Sequence, residues 1–223
     1  MTKLRRVVSG TLMFLGGMLI VGSLALTVYC FYGEVRAKRS VNSVRDDMIL
    51  TIPDYSDKVV VHHKAKDNDL TDETPLYEIY PDIEMKTHKV YNSFIETPLS
   101  YIGMLRINSI GMELPVAGEW SYENLNFAPC CYSGTAYTSG FVICAHNYAS
   151  HFGFISELNQ GDEVVFTDVD GNNFVYYVES IDELEPSEVD DMVSNEYDLT
   201  LFTCTFTGKA RIAVRCMRSF EEQ

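Results

Sequence analysis

Cys204 closes the run Leu199-Thr-Leu-Phe-Thr-Cys204, and seven residues later Arg211 opens the run Arg211-Ile-Ala-Val-Arg215. Both runs are β-branched and apolar, and Thr207-Gly208 between them supplies a turn. With that turn the partners add to a constant (204 with 211), so Cys204 lies directly across from Arg211. Opposed residues on one face of a hairpin carry Cβ atoms about 4.5–5.5 Å apart. A guanidinium at that distance favours thiolate over thiol and can donate hydrogen bonds to an oxyanion forming on an attacked carbonyl. Arg215 would instead face Thr200, about 13 Å further along at a rise of about 3.3 Å per residue. The pairing is sensitive to parity: a three-residue loop would put Cys204 and Arg211 on opposite faces. The proton carrier this chemistry needs is His146, which ends the strand-like run Phe141-Val-Ile-Cys-Ala145 and precedes Asn147.

The elements that must position these groups are short. Tyr101-Ile-Gly-Met-Leu-Arg-Ile107, the turn Asn108-Ser-Ile-Gly111 and Met112-Glu-Leu-Pro-Val116 read as strand, turn, strand. Glu163-Val-Val-Phe-Thr167 and Asn173-Phe-Val-Tyr-Tyr-Val178 flank an Asp170-Gly171 turn and form a hairpin. Many short strands with few helical runs predict a mainly β fold closed into a barrel.

Charge divides the chain. The net charge is −15, yet residues 1–45 hold seven Lys/Arg against the single acid Glu34, leaving ten basic and thirty-one acidic residues in the rest. A body that acidic is unsuited to a phosphate backbone, so nucleic-acid binding is excluded as a function. Val7 to Tyr32 contains no charged residue. As a helix these 26 residues would reach about 39 Å, enough to cross a hydrocarbon core of about 30 Å. The stretch ends in Tyr29-Cys30-Phe31-Tyr32 without a small-residue cleavage pattern, which predicts an uncleaved anchor. Basic residues flank both ends, so charge leaves the orientation nearly balanced. The expected division is a cytoplasmic tail over 1–6, a transmembrane anchor over 7–32, a flexible acidic stalk over 33–95 and a catalytic barrel over 96–223.

These motifs together resemble the sortases. Thr200, Leu201, Thr203 and Cys204 match the family's Thr-Leu-x-Thr-Cys signature, the strand from Arg211 matches its arginine strand, and Ala145-His146-Asn147 is similar to its Gly-His-Asn segment. Gly103-Met-Leu-Arg-Ile107, His151-Phe-Gly-Phe154 and Gly161-Asp162 follow in the expected order, so the resemblance covers about residues 99–218. It implies an eight-stranded sortase-type β-barrel with short helices, held to the membrane with its catalytic domain outside a Gram-positive cell. It also implies a cysteine transpeptidase that cleaves a Leu-Pro-x-Thr-Gly-like sorting signal. Cys204 would form a thioacyl-enzyme, His146 would protonate the leaving amine and Arg211 would clamp the oxyanion. The signal-bearing protein would then pass to an amine on a peptidoglycan precursor or a pilin. Thr203 and Thr205, on either side of the nucleophile, are the expected substrate contacts. No cofactor and no metal are expected. Residues 46–98 hold no Asp-Pro-aromatic segment of the lid type, which weighs against pilin polymerisation.

Other residues read more plainly. Five cysteines lie beyond the anchor, an odd number without C-x-x-C spacing; Cys130, Cys131, Cys144 and Cys216 read as small core residues. Cys144 shares a strand face with His146. His151 is a rival to His146 but reads as a packing residue, and the acidic run Asp182 to Asp191 as a solvated loop that could border a substrate groove. Two alternatives remain: a cysteine hydrolase, and a non-catalytic barrel on a membrane stalk. Papain-like hydrolases place the nucleophile early, on a helix and ahead of the histidine, the reverse of the order here.

Overall fold

The computed structural model describes residues 2–53, 55, 85–91 and 98–218. One helix, α1 (Thr2–Thr51), precedes nine strands: β1 (His88–Val90), β2 (Leu99–Ile107), β3 (Met112–Ala117), β4 (Cys130–Ser133), β5 (Phe141–Cys144), β6 (Glu163–Asp168), β7 (Asn173–Leu184), β8 (Leu199–Cys204) and β9 (Arg211–Arg218). They pair in the order β1-β2-β3-β4-β5-β8-β9-β7-β6, and β6 returns to pair with β2. Strands β2 to β9 therefore form the predicted closed eight-stranded barrel, and β1 adds a short flap on the first residues of β2. Sequence reading did not separate out β1 or β4.

Closure depends on a close approach at Gly103. This residue pairs with Val116 of β3 and Asp168 of β6, beside a register shift in β2. A Cβ there would lie 2.1 Å from the Thr167 carbonyl oxygen, so only glycine lets the two ends of the sheet meet.

Strand alternation separates two apolar clusters. Leu199 and Leu201 of β8, Phe141 and Ile143 of β5, and Val214 and Cys216 of β9 join Leu105, Phe166 and Tyr176 in the barrel interior. The intervening positions point outward, where Cys144 and Phe202 meet Cys130, Phe127 and Tyr101. The second cluster is covered by α1, whose Val44, Met48 and Ile52 pack into it while Val41 reaches the interior set. With Ala37, these buried positions recur every three or four residues, the stripe a helix needs to lie on a sheet.

The boundary drawn at residue 32 thus falls inside a single helix, and residues 33–51 are a packed strut rather than a flexible stalk. The stripe is diluted in the sequence by Lys38, Arg39, Arg45, Asp46 and Asp47 on the other faces, which made the segment look like polar linker. The remainder of the expected stalk lies largely outside the described residues. Gly10–Thr51 contains a stretch long and apolar enough to cross a membrane, and its most apolar part is not buried by the protein.

Arg215 and His151 are buried polar residues of the frame. The Arg215 guanidinium donates to Asp182 Oδ2 (3.0 Å), Thr200 Oγ1 (3.1 Å) and the Met192 carbonyl (3.4 Å), and stacks 5.1 Å from the Tyr197 ring centre. The acidic run is therefore tied into the barrel through Asp182 rather than being wholly solvated. His151 is 1% exposed, and neither ring nitrogen has a hydrogen-bond partner among the described residues. Burial, reinforced by His146, pushes its pKa down to about 3.

Two outcomes are expected. Met48, fully buried, leaves a cavity as Met48→Ala and should cost about 2–4 kcal/mol in thermal unfolding; a free stalk would show no change. For His151, the unfolded chain takes up a proton near pH 6.5 while the folded protein resists it, so stability falls as pH drops from 6.5 toward 3. At pH 5 the deficit is about 2 kcal/mol, and calorimetry of His151→Leu should show a flatter decline between pH 6.5 and 5 than the native protein.

Candidate active site

Of the three residues singled out for chemistry, Cys204 and Arg211 pair on neighbouring strands, and His146 lies two residues past the end of the strand on the other side of Cys204. Strands β8 and β9 pair with Cys204 opposite Arg211 and Thr200 opposite Arg215. The connection differs from the expected two-residue turn. Thr205 N–H still donates to the Ala210 carbonyl (2.9 Å), so the loop is the four residues 206–209, with Gly208 at φ +70°. Adding two residues preserves parity, and the face assignment stands.

On the other side, β5 runs parallel to β8 with Cys144 beside Phe202. The pairing continues one step past the strand end: Ala145 N–H donates to the Phe202 carbonyl (3.2 Å), and Thr203 Oγ1 donates to the Ala145 carbonyl (2.9 Å). The next residue in that register is His146, level with Cys204. Adjacent strands lie about 4.8 Å apart, so His146 and Arg211 flank Cys204 from opposite sides. All three have outward parity, whereas Leu201 and Thr203 face inward.

Cys204 and His146 are both half-buried, which leaves them reachable. Burial moves the His146 pKa below its ordinary value, so the imidazole is neutral over more of the physiological range and able to take a proton. The other cysteines of the barrel differ in kind. Burial pushes Cys131 to about 11, Cys130 to about 12 and Cys144 and Cys216 higher, so all four stay protonated at neutral pH. A protonated thiol is a poor nucleophile. Their reading as core residues agrees with this, and Cys144 does lie on the face that leads to His146. His151 is sealed below the surface and cannot meet a substrate directly.

Arg211 is held in its own hairpin, where Nη1 donates to the carbonyls of Gly208 (3.3 Å) and Ala210 (3.1 Å). To reach an oxyanion at Cys204 the guanidinium must leave those carbonyls by a rotamer change. Thr203, expected to touch substrate, is 4% exposed and joins β5 to β8. The Thr205 hydroxyl bonds to the Ala210 backbone and locks the loop. Both threonines thus brace the strands that present Cys204 and His146.

Sequence reading missed two features beside the site. An aromatic row starts at Phe202, two residues from Cys204 on the same face, and runs through Tyr132 (5.3 Å between ring centres) to Trp120 (5.5 Å) and Tyr122 (5.4 Å). These residues come from separate segments, so no spacing pattern links them. The other feature is the contact of α1 with the loop after His146, where Glu34 accepts hydrogen bonds from Ala149 and Ser150.

Solved structures similar to the chain include the sortase D5 transpeptidase of Clostridium perfringens, with 25% identity, a TM-score of 0.48 and coverage of 53% of this chain and 79% of that one. Sortase C1 of Streptococcus agalactiae has 25% identity, a TM-score of 0.47 and coverage of 53% and 67%. Sortase C of Streptococcus pneumoniae has 24% identity, a TM-score of 0.49 and coverage of 53% and 66%. No curated protein sequence matches significantly. The Sortase domain model matches residues 105–219, just over half of the chain and the whole of the region that carries His146, Cys204 and Arg211, so the chain belongs to the sortase family of transpeptidases.

Proposed function

We propose that this sortase cleaves a Leu-Pro-x-Thr-Gly-like sorting signal through a thioacyl intermediate on Cys204 and transfers the acyl group to an amine. The observation that carries the assignment is the shared level of His146, Cys204 and Arg211 across β5, β8 and β9. Cys204 gives its thiol proton to His146 and attacks the Thr–Gly carbonyl, and Arg211 swings from its hairpin carbonyls to meet the oxyanion. His146 delivers a proton to the departing glycine amine, leaving a thioester. An incoming amine then gives up a proton to His146, attacks the thioester and releases Cys204. Thr203 and Thr205 act by holding the strand ends rather than by touching substrate.

The surroundings suit an anchored surface enzyme. We assign α1 to the membrane, with residues 7–32 as the span and the barrel on the outer side. The partners on this reading are signal-bearing surface proteins and an amine of a peptidoglycan precursor, with a pilin amine as the second possibility.

The test is mass spectrometry of the full chain in detergent micelles with a Leu-Pro-x-Thr-Gly peptide library, with and without triglycine. An acyl adduct on Cys204 that disappears when triglycine is added and reappears as a peptide–triglycine product is the expected result. Loss of the adduct to water at the same rate with or without triglycine would instead mark a hydrolase. Arginine replacements separate chemistry from frame. Arg211→Ala should lower transfer at least about 100-fold with little change in melting temperature. Arg215→Ala should destabilise by about 2–3 kcal/mol, because it strands Asp182 and Thr200; a reversed pattern would overturn the register.

A further inference from the structure

The loop that follows His146 is tied to the helix that enters the membrane. Within the loop, Phe152 N–H donates to the His146 carbonyl (3.0 Å), while His151 and Gly153 N–H both donate to the Tyr148 carbonyl (2.9 and 2.8 Å). These bonds account for three consecutive amides. The two amides before them are met from outside: Glu34 of α1 accepts from Ala149 N–H through Oε2 (3.2 Å) and from Ser150 N–H through Oε1 (3.0 Å). One carboxylate therefore uses both oxygens on adjacent amides, a charge-assisted pair that fixes the loop in direction as well as distance.

The side chains repeat the link. The His146 ring lies 4.8 Å from that of Tyr148, and Tyr148 lies 5.6 Å from the buried His151. On its far side the Tyr148 hydroxyl touches α1, where a Cβ built on Gly33 would be 3.3 Å away. Gly33 and Glu34 come immediately after the apolar stretch that ends at Tyr32. The imidazole is thus held on one side by the β5–β8 junction and on the other by the first polar turn of the anchor helix.

We propose that Glu34 is a positioning residue for transpeptidation: by clamping the amides of Ala149 and Ser150 it holds His146 at the level of Cys204, and so couples the membrane anchor to the active site. The proposal rests on His146 being the proton carrier. A displacement of about 1 Å in a catalytic group can cost a hundredfold in rate; loss of one of the tethers on the loop should cost about tenfold.

The experiment uses the full chain in detergent micelles and reads the rate of iodoacetamide attack on the Cys204 peptide by mass spectrometry across pH 5–9. A neighbouring imidazole that titrates imposes a step on this profile, so no substrate is needed. His146→Ala should remove the step. Glu34→Ala should weaken it, and Glu34→Gln, which keeps one acceptor oxygen, should fall between Glu34→Ala and the native protein. With a peptide that turns over, Glu34→Ala should lower kcat about tenfold and leave KM unchanged. If His146→Ala leaves the profile intact, the assignment of His146 fails. A profile that changes in His146→Ala but stays native in both Glu34 variants overturns the present proposal alone. A Glu34→Ala protein that melts earlier yet keeps the native profile and kcat also overturns it, since Glu34 would then only brace the fold.

Discussion

The site depends on strand register. Cys204 and Arg211 belong to two strands and His146 to the end of a third, and none touches another through sequence proximity. What brings them level is that β8 and β9 pair 204 with 211 while β5 and β8 pair 144 with 202. Because side chains alternate faces, a slip of one residue in either pairing would turn one group into the barrel interior and leave the others outside. The interior set Leu199, Leu201, Phe141, Ile143, Val214 and Cys216 forbids that slip, since it would expose several of these side chains at once. Hydrophobic burial in the core thus fixes the spacing of the reactive groups on the surface.

Around that register the surroundings of repeated residue types differ. Five cysteines lie in the barrel, and burial holds four of them as thiols. Two arginines lie on the same face of β9; Arg215 is enclosed by Asp182, Thr200 and Tyr197, while Arg211 donates to backbone carbonyls of its own hairpin. Two histidines follow β5, and only His146 stays accessible. In each case the residue type is repeated and its surroundings distinguish the copies.

The long helix links this site to the apolar segment at the start of the chain. Its apolar stripe from Ala37 to Ile52 packs on the outer face of the barrel, and Gly33 and Glu34 reach the His146 loop. Such packing removes the freedom of a tether, so the barrel has a fixed attitude to the end of the apolar segment. The geometry of the candidate site is then a property of the whole chain as much as of the barrel.

The sequence by itself determined the barrel, the apolar anchor, the candidates Cys204, His146 and Arg211, and the pairing of Cys204 with Arg211. These are local: alternation within a strand, an uninterrupted apolar run and an even-numbered hairpin are each written in a few consecutive residues. The turn was expected to be two residues and is four, but parity alone set the face. Only the tertiary structure decided that residues 33–51 pack as a strut, that Thr203 and Thr205 brace strands, and that Glu34 meets amides 115 and 116 positions away. Those features arise where distant segments meet. A helical stripe looks like polar linker until the surface that buries it exists, and a hydroxyl or carboxylate shows its purpose only beside the particular backbone group it satisfies.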